Sequence, residues 1–229
     1  MDFSHFDTRR YPTVSAQAGY SAWASTYEDV VQDAMDIRLL NRLQAVAWQG
    51  EAADLACGTG RIGVWLRERG VSAIDGLDIT PAMLDGARAK GVYRQLVRGS
   101  VLETPLASNA YDLATISLAD EHLPTVAPLY QEAARILRAG GWFVLVGFHP
   151  YFLMNGVPTH YTYPTGESVT IECYVHLMSD HVAAALAAGL TLREMHEGVI
   201  DEEWLAVKPK WKPYQNRPVS FVTAWQKGE

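Results

Sequence analysis

The stretch Asp54-Leu55-Ala56-Cys57-Gly58-Thr59-Gly60-Arg61-Ile62-Gly63 decides how the chain is read. It closes a short apolar run, residues 52–56, and opens a segment in which Ile62, Trp65 and Leu66 share one helical face. That is the pattern of strand, glycine turn and helix. Glycines at 58 and 60 let the chain reverse sharply and let a ligand approach bare backbone at a helix N-terminus. Taken literally, Gly58, Gly60 and Gly63 satisfy Gly-x-Gly-x-x-Gly, and Asp78 follows Gly58 by 20 residues. This is the spacing of an acid that holds ribose hydroxyls. Spacing alone therefore points to an adenosine-containing cofactor and leaves two open, a nicotinamide dinucleotide or S-adenosylmethionine. The competing explanation, a tight turn that binds nothing, does not require an acid at the end of the next strand.

Working outward, residues 20–48 read as helical, with Ile37, Leu40, Leu43 and Ala47 at helical spacing. Residues 71–78 form a second strand candidate, and Thr80-Pro81 looks like a cap with proline at the first helical position, opening a helix through Met83, Leu84 and Ala87. Residues 94–98 and 112–118 are the third and fourth strands. Leu129, Ala133, Ile136 and Leu137 mark a helix that stops at Gly140-Gly141, before a buried strand over 142–147. Strands alternating with helices through short connections predict an α/β fold with a parallel sheet covered on both faces. Beyond Phe148 the rhythm breaks. Residues 149–178 hold no clear helix, but 159–163 and 168–174 flank Pro164-Thr165-Gly166-Glu167 as a hairpin. Ser179 or Asp180 then caps a helix through Leu186, closed by Gly189. Two last strands, 191–196 and 219–225, enclose a long loop carrying Trp204, Trp211 and Tyr214.

The chain has 229 residues, 48% of them hydrophobic, so it carries enough apolar surface for one sizeable core and is read as a single domain over 1–229. Its 26 acidic against 19 basic residues give a formal net charge of -7, a poor balance for gripping a phosphate backbone, so no nucleic-acid partner is expected. Cys57 and Cys173, far apart, fit a reducing, cytoplasmic compartment rather than a disulfide scaffold. No secretory signal is visible, and no apolar stretch is long enough for a membrane span.

The glycine segment resembles the first motif of class I S-adenosylmethionine-dependent methyltransferases, in which an acid stands four residues before the first glycine. Gly76-Leu77-Asp78-Ile79-Thr80-Pro81-Ala82-Met83-Leu84 resembles that family's second motif, Tyr111-Asp112-Leu113-Ala114 its fourth-strand opening, and Ile136-Leu137-Arg138-Ala139-Gly140-Gly141 the turn before its fifth strand. Tyr20-Ser21-Ala22-Trp23-Ala24-Ser25-Thr26-Tyr27 resembles the N-terminal lid of the small-molecule, ubiquinone-pathway-like branch. The likeness covers residues 20–148 closely. It implies a Rossmann-like, seven-stranded, mostly parallel sheet with helices on both faces and an antiparallel last strand. Residues 1–48 would be a helical lid, with the 149–178 insertion and the 200–218 loop over the substrate side.

The same resemblance implies S-adenosyl-L-methionine as cofactor and S-adenosyl-L-homocysteine as product. Ala56, Gly58 and Gly60 would pass its methionine portion, with Asp54 orienting the amino group. Asp78 would accept the ribose hydroxyls, for which a carboxylate is suited, and Ile79 and Met83 would sandwich the adenine. Ser100 and Val101 stand where the family often has Gly-Asp, so the base contact would fall to them. Ser117 and Leu118 would line the sulfonium, and Tyr20 would close over it.

The acceptor is expected to be a small molecule, with Trp23, Tyr27, Tyr151, Tyr161, Tyr163 and Trp204 as candidate substrate contacts. Such aromatic residues suit a flat substrate or a homodimer interface equally well. An acceptor that must lose a proton needs a base, and His149 and His122, both at carboxyl ends of strands, are the candidates. His160, His176 and His181 are further histidines within reach of a substrate. Asp120-Glu121-His122 packs three ligand types consecutively, which does not point them to one side, so no metal site is expected. Two alternatives stay open, a nicotinamide-dependent oxidoreductase and a cofactor-binding scaffold that has lost transfer.

Overall fold

The computed structural model describes residues 1–30 and 34–228. Its first elements are β1 (Thr13–Val14), α1 (Ala16–Trp23), α2 (Tyr27–Val30) and α3 (Ile37–Leu40). The alternating portion follows as β2 (Glu51–Leu55), α4 (Arg61–Glu68), β3 (Ala73–Asp78), α5 (Pro81–Lys90), β4 (Gln95–Arg98), β5 (Tyr111–Ser117), α6 (Ala127–Ile136) and β6 (Leu137–Phe148). Then come α7 (Pro150–Met154), β7 (His160–Thr162), β8 (Ser168–Ile171), α8 (Met178–Ala187), β9 (Leu190–Val199), α9 (Glu202–Val207) and β10 (Pro218–Lys227).

A seven-stranded sheet runs in the order β4-β3-β2-β5-β6-β10-β9. The pairs from β4 to β6 are parallel, and β10 lies antiparallel between β6 and β9. This is the Rossmann-like methyltransferase architecture, with the antiparallel strand last in sequence. Side chains alternate across it as strand geometry requires. Ala53, Leu55, Ala114, Ile116, Phe143 and Leu145 enter one core with Tyr130 of α6 and Ala184 of α8. Their neighbours Ala52, Leu113, Val144 and Val146 enter the other, against Leu39 of α3 and Trp65 of α4. Both faces are therefore dry, which is why these strands read as continuous apolar runs.

A second, small sheet of order β1-β8-β7 sits apart from the first. β1 joins β8 in parallel, with Thr13 opposite Thr170 and Val14 opposite Ile171, and β7 and β8 form the hairpin. Helix α1 lies close on this sheet. A Cβ at Gly19 would come within 2.7 Å of Ile171, so glycine is required by the approach itself.

Several local expectations change. The helix over 20–48 is broken into α1, α2 and α3, with residues 45–50 largely irregular; residues 31–33 of that span lie outside the described residues. The 149–178 insertion does hold a helix, α7, started by Pro150, and the 200–218 loop is ordered as α9 and a 3-10 turn over Pro209–Tyr214. The cap of α8 is Leu177; Asp180 is its third helical residue and reaches back to accept the Leu177 N–H. Phe143 is fully buried and edge-on to Tyr130 at a centroid distance of 5.2 Å. Phe143→Ala should therefore cost about 3–5 kcal/mol in urea-induced unfolding at neutral pH.

Candidate active site

The carboxyl ends of β2, β3 and β5 converge on one edge, where ligands bind in sheets of this kind. At β3 the nearly buried Asp78 accepts two backbone N–H groups, from Gly58 at 2.9 Å and from Thr80 at 2.7 Å. Each carboxylate oxygen keeps a second lone pair for an incoming hydroxyl. Burial raises its pKa, while the two amides oppose that shift. Beside it Ile79 is 46% exposed, a large apolar side chain held in the open. Gln17 of α1 reaches the Ile79 carbonyl at 3.5 Å, so the N-terminal helix borders this surface.

The turn after β2 forms a small crevice of about 30 Å³ whose walls include Asp54, Ala56, Gly58 and Ser117. Gly58 has φ +54°, and a Cβ there would meet nothing within 4 Å, so the space above it is not filled by the protein. Ala56 (φ 51°) and Leu118 (φ 53°) are left-handed without being glycine, at the ends of adjacent strands. Such strain costs on the order of 1–3 kcal/mol per residue and clusters at functional sites. Buried Asp54 accepts from Tyr93 Oη at 2.7 Å and Thr115 Oγ1 at 3.0 Å. Burial nonetheless pushes its pKa up to about 6. Asp36 and Arg61, which also line this crevice, were not among the sequence candidates. Asp36, buried, pairs with both terminal nitrogens of Arg61 at 3.0 and 3.1 Å and accepts from Ser117 Oγ at 3.2 Å. Asp36 sits in the N-terminal segment, where no motif marks it; Arg61 directly follows Gly60 and was legible only by position.

A second cavity of about 400 Å³ opens next to the first. Tyr27 and Leu118 line both. Its aromatic walls pair Trp23 with Tyr161 (centroids 5.8 Å) and Phe152 with Trp211 (4.9 Å). Tyr20, Trp23, Tyr27 and Tyr161 are thus brought into one chamber. Tyr20 Oη lies 2.9 Å from His122 Nε2, and His122 Nδ1 lies 2.6 Å from the Glu172 carbonyl. A carbonyl only accepts, so Nδ1 carries the proton and Tyr20 donates to Nε2. Burial pushes His122 down to about 4, so the ring is neutral at pH 7. Glu121, also buried, has one carboxylate oxygen 3.6 Å from His122 Nε2. Asp120 instead faces His181, at 3.5 Å, so it turns away from the side that Glu121 and His122 share.

Other candidates lie elsewhere. His149 Nδ1 accepts the Tyr151 N–H and its Nε2 donates to Glu197 at 2.9 Å. It caps α7, both nitrogens are engaged, and it lines neither cavity. Tyr151 is 40% exposed outside the chamber, and Tyr163 packs edge-on behind Tyr161. Trp204 is core, 1% exposed and packed on Trp211. Met83 and Val101 are buried in the interior, leaving Ile79 as the exposed apolar surface beside Asp78. Ser100 Oγ accepts the Leu102 N–H, a local turn contact that leaves its own proton to donate. Of the further histidines, His160 lines the chamber, whereas His176 bonds the Leu123 carbonyl and His181 the Tyr130 hydroxyl.

Residues 53–145 match the family model described as a methyltransferase domain. An uncharacterized methyltransferase of Emericella nidulans is 26% identical over 67% of this chain and 63% of its own length. A ubiquinone/menaquinone biosynthesis C-methyltransferase of Roseobacter denitrificans is 33% identical over 58% of each. This chain therefore spans less than two thirds of either relative. A Mesorhizobium loti S-adenosylmethionine-dependent methyltransferase structure superposes with a TM-score of 0.69 at 22% identity, over 87% of this chain and 99% of that one, a likeness of fold. With the motifs and the strand order, these matches make residues 53–145 similar to a methyltransferase domain, on a fold shared with S-adenosylmethionine-dependent methyltransferases. Of the two adenosine cofactors that spacing left open, these likenesses favour S-adenosylmethionine.

The raised pKa of Asp54 has a testable sign. A carboxyl that binds its proton more tightly folded than unfolded loses stability as pH rises between its unfolded value, near 4, and about 6. Asp54→Asn should remove that loss. Its stability relative to the parent should grow by roughly 2–3 kcal/mol from pH 4 to pH 7 and stay level above, read from urea unfolding at each pH. A difference independent of pH would refute the assignment.

Proposed function

We propose that this chain transfers a methyl group from S-adenosylmethionine to a small-molecule acceptor held in the larger cavity. The observation that supports this most is the shared wall. Tyr27 and Leu118 face both the crevice at the glycine turn and the aromatic chamber, so a donor in one can reach an acceptor in the other.

The residues present fit the donor. Asp78 would hold the ribose hydroxyls, Ile79 the adenine face, the Gly58–Gly60 backbone and Asp54 the amino-acid portion. When bound, the donor supplies a methyl group on a cationic sulfur, and its amino group would favour the ionised form of Asp54. The chamber's aromatic faces exclude water from the transfer and hold the acceptor in line, which is the protein's main contribution to such a displacement.

For an acceptor that must lose a proton, Tyr20 and His122 supply a route. The acceptor's proton passes to the Tyr20 oxygen as the Tyr20 proton passes to His122 Nε2. Glu121, whose other oxygen has no partner among the described residues, lies close enough to favour the imidazolium that results. His149 has no part in this scheme. A reducing compartment suits Cys57 and Cys173, which are both free and buried.

Turnover of labelled methyl groups against a metabolite extract tests the reading directly; S-adenosylhomocysteine failing to stabilise the protein thermally, with no label transferred, would sink it. Asp78→Ala should weaken S-adenosylhomocysteine by about 1.5–3 kcal/mol in calorimetry, since it removes charge-assisted hydrogen bonds. Tyr20→Phe should lower kcat by about 10²-fold for a proton-bearing acceptor while leaving donor affinity within about twofold. An equal loss in both would reassign Tyr20 to donor binding.

A further inference from the structure

The larger cavity is not only aromatic. Four basic side chains, Arg9, His160, Lys208 and Lys210, line it, and no carboxylate does among the described residues. This is unexpected in a chain whose acids outnumber its bases by 26 to 19. Arg9 Nη1 lies 3.0 Å from His160 Nε2, and His160 Nδ1 lies 3.1 Å from the Pro158 carbonyl. Nδ1 therefore carries the ring proton, and Arg9 donates to a neutral acceptor that leaves its charge uncompensated. Neither Arg9 nor Lys210 forms a salt bridge with a described carboxylate. Lys208 is half-buried, with its ammonium 5.7 Å from the Trp211 ring.

The electrostatics agree with the geometry. Burial lowers the pKa of His160, and Arg9, Lys210 and Lys208 each lower it further. Burial, then Lys210, lowers that of Lys208. The fields of three cations thus overlap at one ring, an arrangement that repels itself and is relieved by an anion. Aromatic walls alone would receive a cationic ligand as readily as a neutral one; a basic rim with no carboxylate among the described residues selects against a cation.

We infer that the methyl acceptor is an anion, a flat apolar molecule bearing a carboxylate or phosphate group. The anionic group meets Arg9, Lys208 and Lys210, and the apolar body lies between the Trp23–Tyr161 and Phe152–Trp211 pairs, pointing toward Leu118 and the donor. This rests on the methyl-transfer reading for the word acceptor, though the binding preference can be measured without it.

The test uses the full chain and three matched probes, 2-naphthoate, 2-naphthyl phosphate and the neutral 2-naphthalenemethanol, titrated by calorimetry in parallel with S-adenosylhomocysteine. At least one anion should bind about tenfold or more tighter than the alcohol, as one charge-assisted contact allows. The tighter of the two identifies the carboxylate or the phosphate as the preferred group. The advantage should fall to within about twofold in Arg9→Glu and in Lys210→Glu, charge reversals at exposed positions. It should persist in Lys212→Glu, a lysine of the same 3-10 turn that does not line the cavity. An alcohol that binds as tightly as both anions, an advantage that survives both reversals, or no anion binding at millimolar concentration would each overturn the inference. Failure of S-adenosylhomocysteine to bind while the anion preference holds would instead sink the methyl-transfer reading alone.

Discussion

One buried carboxylate organises the glycine-turn edge of the large sheet. Asp78 takes the Gly58 N–H on one oxygen and the Thr80 N–H on the other, so it joins the turn after β2 to the start of α5. Charge-assisted bonds of this kind contribute about 1.5–3 kcal/mol each, against the cost of keeping a carboxylate nearly dry. They steady a turn that contains three residues of positive φ, Ala56, Gly58 and Gly60. The ends of the strained segments are fixed in the same manner. Cys57 donates to the Leu77 carbonyl at 3.0 Å and Leu118 to that of Val146 at 2.8 Å, so neighbouring strands carry the left-handed residues.

On that rigid edge the molecule divides its tasks between two walls. The sheet edge supplies the glycine turn, Asp78 and Ser117. The covering layer of α1, the small sheet, α7 and the 3-10 turn, with Arg9 and Lys208 beside them, supplies aromatic and basic side chains of the chamber. Tyr27 and Leu118 stand where the two meet. The Tyr20–His122 pair bridges the layers as well, since Tyr20 comes from α1 and His122 from the loop after β5, and the Glu172 carbonyl of the insertion fixes the histidine's tautomer.

The inner strands of the large sheet, β2, β3, β5, β6 and β10, were legible because each is a largely dry run, whereas the edge strands β4 and β9 are half-exposed. Local signals also located the glycine turn and Asp78, as fixed offsets of 20 residues within one βαβ unit. The covering layer was legible only as an inventory of aromatics. Its short helices α2, α3, α7 and α9 have four to six residues each, too few for periodicity to register. Which aromatics line the chamber depends on long-range packing. Trp204 and Trp211 sit in the same loop, yet Trp204 turns into the core while Trp211 faces the cavity. His149 misled for a related reason. Its place at a strand's end is the place of a ligand contact, but Pro150 starts a helix there, and the imidazole is consumed as its cap. Arg9 and Asp36 lie far in sequence from the residues they accompany, and nothing local marks either.

The parallel pairing of β1 with β8 has an evolutionary consequence. That seam is sewn through main-chain amides and carbonyls, such as Glu172 N–H to Val14 O at 2.8 Å, which make no demand on side-chain identity beyond close approach. The canopy can thus trade its inward-facing residues while its attachment and the platform beneath are inherited unchanged. A lineage built this way can adopt a new clientele of molecules through a handful of substitutions, without having to reinvent the machine that serves them.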